Sequence, residues 1–220
     1  MSDWNKNFIN PTPKEFEAEL KSRPDLAGNL AIHRLTSHVP EDDFIIYQGD
    51  LITDGYLEFD HTNVIVMGNV KAKVVDLSNE KAGGDEGGSF FVYGDVECDY
   101  FRNHYGKMTV IEGSLKVNKI LNNGFDDSCL YVHKDATAEY YYCPRVWMNV
   151  KGKAQFKYGE GFSFPLTSAK IEGKKKKVEP EHSVEDSHDF LKIKNRMKKG
   201  DDIEEAIDIY MYEIFDEMNK

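Results

Sequence analysis

The 220 residues carry 39 Asp and Glu against 28 Lys and Arg, a formal net charge of -11, which argues against nucleic acid or anionic lipid as a partner. At 40% hydrophobic and 12% aromatic residues the composition is that of a folded chain with one sizeable core, not of a disordered one. No run approaches the ~18 apolar residues a membrane span needs.

The first residues, Met1-Ser2-Asp3-Trp4-Asn5-Lys6, lack the basic-then-apolar order of a secretory signal. Cys98, Cys129 and Cys143 are odd in number, widely spaced and without a C-x-x-C. Free thiols in a reducing cytoplasm are expected, with no metal site and no cofactor.

Thr12-Pro13-Lys14-Glu15 reads as a helix start, with Thr as cap, Pro at the first helical position and Glu at the third. Phe16 and Leu20, four apart, give that helix an apolar side, and Arg23-Pro24 ends it. With a further helical turn or two over 26–35, residues 1–40 are expected to form an N-terminal helical cap.

From residue 44 a phrase recurs: apolar, any, glycine, polar, aliphatic, any, small or aliphatic. It runs Tyr47-Gln48-Gly49-Asp50-Leu51-Ile52-Thr53, then Val66-Met67-Gly68-Asn69-Val70-Lys71-Ala72, then Val92-Tyr93-Gly94-Asp95-Val96-Glu97-Cys98. Further copies centre on Gly113, Lys134 and Gly152. The steps between key positions are 19, 26, 19, 21 and 18, and the long one contains a polar, glycine-rich insertion over 78–88. Within each phrase the apolar residues alternate, as on one side of an extended strand. Stacking the copies predicts three inward columns: Tyr47, Val66, Val92, Ile111, Val132, Val150; Leu51, Val70, Val96, Leu115, Ala136, Ala154; and Thr53, Ala72, Cys98, Val117, Ala138, Phe156. The fold class expected is mostly β, a single-stranded parallel β-helix (β-solenoid) of about six coils over 41–170, flanked by α-helices. The glycines are expected at tight corners where the interior has no room for a side chain, and Lys134 must turn outward or distort its corner.

Residues 171–182, with the run Lys174 to Lys177, read as a polar linker, and 183–220 as a C-terminal helical hairpin. Its second helix carries Ile203, Ile207, Tyr210, Ile214 and Met218 at spacings of 4, 3, 4 and 4, an apolar stripe suited to docking on the solenoid or on a partner. Helices at both ends would cover strand edges that otherwise stack end to end.

No catalytic motif stands out, so no enzyme is expected. Arg102, His104 and Tyr105 fall in one turn, and Tyr140, Tyr142 and Arg145 in an aromatic concentration; with Asp85 and Glu86 of the insertion they are the candidate protein-binding residues.

The phrase Gly-Asp-Val-Glu-Cys or Gly-Asn-Val-Lys-Ala at about nineteen-residue intervals resembles the bactofilins over residues 44–158. The resemblance implies a right-handed parallel β-helix in a bacterial cytoplasm and a capacity to polymerise through bare ends. The flanking helices depart from that pattern. The function expected is a binding module for another protein, a basic one, such as an immunity protein neutralising a nuclease-type toxin. The chain would be a monomer or small homo-oligomer, with a bactofilin-like structural polymer as the alternative.

Overall fold

A computed structural model describes residues 7–23, 43–59, 63–78, 88–104, 107–123, 128–142, 147–160, 167–171, 174–177 and 182–183. In chain order the elements are β1 (Phe8–Ile9), α1 (Pro13–Lys21), β2 (Phe44–Tyr47), β3 (Leu51–Ile52), β4 (Tyr56–Glu58), β5 (Asn63–Val66), β6 (Val70–Lys71), β7 (Val74–Asp76), β8 (Ser89–Val92) and β9 (Val96–Asn103). There follow β10 (Met108–Ile111), β11 (Leu115–Asn123), β12 (Cys129–Val132), β13 (Ala136–Tyr142), β14 (Trp147–Val150), β15 (Ala154–Glu160), β16 (Thr167–Ile171), β17 (Lys174–Lys177) and β18 (His182–Ser183).

Each phrase becomes a strand, a corner at the key position, and a second strand. The first strands stack in parallel as β2-β5-β8-β10-β12-β14-β16, and the second as β3-β6-β9-β11-β13-β15-β18, with β4 and β7 extending the early coils of that sheet. The registers superpose the phrases: Tyr47 on Val66 on Val92 on Ile111 on Val132 on Val150, and Leu51 on Val70 on Val96 on Leu115 on Ala136 on Ala154. All three expected columns line one apolar core, except that Thr53 is only half-buried. The result is a β-solenoid of about five turns.

The glycine corners have a different cause from the one expected. A Cβ at Gly68, Gly94, Gly113 or Gly152 would lie within 2.8 Å of the carbonyl of the key residue one coil earlier. It would also strike Asp50, Asn69, Asp95 or Asp135 Oδ1, the residue beside that carbonyl. Space is short along the stacking axis, between coils, not toward the core. Gly49, on the first corner with no coil before it, meets nothing within 4 Å and is there for its φ of +89°.

The Asp/Asn oxygen that crowds each glycine has its own task. Asp50 Oδ1 accepts the Asn69 backbone N–H at 2.7 Å, Asn69 Oδ1 that of Asp95 at 2.8 Å, Asp95 Oδ1 that of Ser114 at 2.7 Å, and Asp135 Oδ1 that of Lys153 at 2.8 Å. The recurring Gly-Asp/Asn pair is thus one device: the carboxyl or amide ties a corner to the next coil, and the glycine makes room for it. Where Ser114 replaces the acid, the residue one coil on is Lys134, exposed and turned outward.

The capping box of α1 forms as expected, Thr12 Oγ1 accepting from Glu15 N–H and Glu15 Oε2 accepting from Thr12 N–H. Its position differs from the expected end cap. Phe16 and Leu20 pack against Phe44, Ile46, Ile65, Phe91 and Val110, a cluster on the outside of the first sheet. Those strands are apolar on both sides because both are covered. Burying Phe16 and Leu20 there contributes about 1.5–3 kcal/mol each.

The ends of the first sheet are closed by strands. β1 pairs antiparallel with β2, and β17 antiparallel with β16. The lysine run read as linker is therefore an edge strand, a place where lysine discourages further pairing. Ser183, the first residue of the expected C-terminal hairpin 183–220, ends β18, and the rest of that hairpin and the helical turns expected over 26–35 lie outside the described residues.

Candidate functional site

Past the second strand of each coil the chain bends and runs on as a third wall, formed by β4, β7 and the C-terminal halves of β9, β11, β13 and β15. Leu57, Val75, Phe101, Leu121 and Tyr141 of this wall belong to the core. The residues that alternate with them stack in register as Glu58, Asp76, Arg102, Asn122 and Tyr142, and on the other flank as Tyr56, Val74, Tyr100, Ile120, Tyr140 and Tyr158. Pleating with a period of two sends these two columns to the side away from the core.

Four of the eight predicted binding residues, Arg102, His104, Tyr140 and Tyr142, come together on this wall, although the sequence places them in two distant loops. They are 1%, 3%, 7% and 5% exposed, so they are not the accessible docking patch that was expected. Asp85, Glu86, Tyr105 and Arg145 lie outside the described residues.

The polar centre of the wall is Asp76. Arg102 Nη1 stands 3.7 Å from its Oδ2, Tyr56 donates its hydroxyl to the same oxygen, and Oδ1 accepts the Ser78 N–H at 2.9 Å. Burial, reinforced by the Asp76 charge, raises the Tyr56 phenol above its ordinary range, so the proton stays on the tyrosine. Asp76, Tyr56 and Asn122 were missed by the sequence reading. The signal was present: Asp76 and Arg102 are 26 apart, the same long step that separates Gly68 from Gly94, so extending the phrase by one strand stacks them.

His104 is driven down to about 4, first by burial and then by the Arg102 guanidinium, against smaller opposing effects of an Asn122 hydrogen bond and Asp76. It is a neutral imidazole at pH 7. Lys107, 4% exposed, is lowered to about 8 by burial, with Asp43 partly offsetting it. It borders a cavity of about 10 Å³ shared with Phe59, Asp76, Ser89 and Phe90, room for about one water. Behind the wall, Asn103 donates to Asn123 Oδ1 at 2.8 Å and accepts from the Thr109 hydroxyl at 2.9 Å, while Ser89 donates to Asn63 Oδ1 at 2.8 Å. This arrangement ties neighbouring coils together at the corner. Cys98, 1% exposed with its thiol well above the ordinary range through burial, is a small core residue.

Two sets of accessible ion pairs lie on the second strands and the bend after them. Glu97 sits between Lys71 at 3.6 Å and Lys116 at 3.4 Å, and Glu139 between Lys119 at 3.8 Å and Lys157 at 3.6 Å. Such exposed pairs contribute at most about 1 kcal/mol each. Residues 41–170 hold 20 Asp and Glu against 13 Lys and Arg, and 171–220 hold 14 against 10. Eight of those acids, against one lysine, lie in 201–220.

Among the described residues no group of three or more His, Cys, Asp or Glu is placed to hold a metal ion, and no helix is long and apolar enough to cross a membrane. The fold defines the chain as a β-solenoid protein. No family model, no curated protein and no solved structure matches it.

Proposed function

We propose that this chain is a finite, non-enzymatic β-solenoid that binds another protein, a basic one. The observation that carries the reading is the closure of the first sheet at both ends, by β1 on β2 and by the lysine strand β17 on β16. A stack terminated by antiparallel strands does not offer the bare parallel edges that a bactofilin-like polymer needs. The rigid ladder of corners suits a scaffold that holds a surface without changing shape. The acidic surplus steers a basic partner; it lies both in 41–170, with 20 Asp and Glu against 13 Lys and Arg, and in 201–220, with eight against one. The finer reading, an immunity protein that neutralises a basic nuclease-type toxin in a bacterial cytoplasm, follows from the same charge logic.

The test is capture on immobilised full-length chain at 0.15 M salt, elution at 1 M salt and identification by mass spectrometry. The reading expects a small set of basic proteins, released by salt. Recovery of acidic proteins alone, or retention insensitive to salt, would contradict it.

A further inference from the structure

We infer that the outer side of the second sheet carries a charge key: the sign of its charge alternates from one coil to the next, and the alternation selects which coil stacks on which during folding.

Between corner and bend, the first copy of the phrase shows Asp50 and Asp54, the second Lys71 and Lys73, and the third Asp95, Glu97 and Asp99. The fourth shows Lys116 and Lys119, the fifth Asp135 and Glu139, and the sixth Lys153 and Lys157. Within the spans 50–54, 69–73, 95–99, 114–119, 135–139 and 153–157 no Asp, Glu, Lys or Arg is out of phase. All of these side chains are exposed or half-buried. The register places Lys71 beside Glu97 and Glu97 beside Lys116, so acid meets base at each step.

The stack needs such a key, because its core does not distinguish one coil from another. Val66, Val92 and Ile111 are alike in shape, as are Val70, Val96 and Leu115. A fourth copy stacked directly on the second, with the third looped out, would bury nearly the same columns. The corner tie discriminates no better, since Asp50 or Asn69 accepts a backbone N–H that every coil offers. Charge does discriminate. Skipping one coil sets Lys71 against Lys116 and Lys73 against Lys119, and like charges directly opposite on neighbouring strands are unfavourable. Exposed pairs add little to native stability, so their strict order is accounted for by what it rejects.

The experiment is refolding of the full-length chain at low salt, followed by hydrogen exchange read by mass. In Glu97→Lys/Asp99→Lys the second, third and fourth copies are all basic, and the preference for the correct neighbour is lost. Expected is a second population, about a tenth or more of the molecules, with amides 90–98 unprotected while 64–71 and 110–117 are protected. Lys116→Glu/Lys119→Glu should instead leave 110–117 unprotected. Refolding in 0.5 M salt restores one population in both. The neutral variant Glu97→Gln/Asp99→Asn refolds as the parent, because Lys71 and Lys116 still repel. A single population in both reversed variants at low salt, even with a lower urea midpoint, would overturn the inference. So would a second population that salt leaves unchanged. A parent chain that forms dimers dispersed by salt would also overturn it, because the bands would then serve a second copy.

Discussion

If the Gly-Asp/Asn corner is one device, its two halves must be energetically coupled. Gly113→Ala places a methyl 2.6 Å from the Gly94 carbonyl carbon and closer still to Asp95 Oδ1. Ordinary carbon contacts lie near 3.5–4 Å, so the coils must part locally by about 1 Å. Overpacking of this kind costs about 1–3 kcal/mol, and with backbone as the obstacle about 3 kcal/mol is expected. Asp95→Ser removes the 2.7 Å bond to the Ser114 N–H at an exposed corner, a loss of about 1 kcal/mol. Independent effects would sum to about 4 kcal/mol. The double variant reproduces the arrangement the chain already uses at Ser114 and Lys134, where no carboxyl stands under the side chain. It should cost about 1–1.5 kcal/mol less than the sum. The assay is urea unfolding of parent, single variants and double variant, compared by midpoint and slope. Additivity within about 0.5 kcal/mol would refute the coupled corner.

Asn103→Leu leaves Asn123 Oδ1 and the Thr109 hydroxyl without the amide they share, and should cost about 3 kcal/mol in the same assay; a loss below about 1 kcal/mol would mean that the inner amide stack is dispensable. His104 has a folded value of about 4 against 6.5, so between those values the unfolded chain binds the proton that the folded chain refuses, and stability falls as pH drops from 6.5 to 4. The histidine contribution is about 3 kcal/mol, read as the difference in pH dependence between parent and His104→Asn; identical pH profiles would contradict the burial of a neutral imidazole. Phe16→Ala should release α1 from the first sheet, a loss of about 3–4 kcal/mol in docking, seen as fast exchange at residues 16–22 with the strand amides of 64–66 still protected.

Much of the solenoid was legible in the sequence because its phrase is chemical as well as hydrophobic. Tyr47, Val66, Val92, Ile111 and Val150 could be aligned by the glycine two residues on, with Lys134 in its place after Val132, and the registers follow that alignment. The reason for the glycine was not legible. Crowding between coils involves the carboxyl or amide of a residue 17 to 25 positions earlier, and a phrase read alone shows only a small residue. The α1 start was readable because a capping box is local, whereas its seat on Phe44, Ile46, Ile65 and Phe91 is not; the clue was strands apolar at every position, which need cover on both sides. Lys174–Lys177 carry no strand propensity, and only pairing with β16 makes them a strand. The apolar residues left over from each phrase, Val74 and Val75, Tyr100 and Phe101, Ile120 and Leu121, Tyr140 and Tyr141, point to a further wall, but not to the polar column on it. Arg102 and Tyr142 drew notice as unusual residues, and without the stacking of Asp76, Arg102, Asn122 and Tyr142 nothing marked them as one buried column.

The central claim is a finite stack with closed ends, and light scattering on a size-exclusion column across a hundredfold dilution tests it most directly. The account predicts a constant mass of one chain, 25.2 kDa, at every concentration. Mass that climbs with concentration, or filaments in the void volume, would contradict it and make the chain a structural polymer.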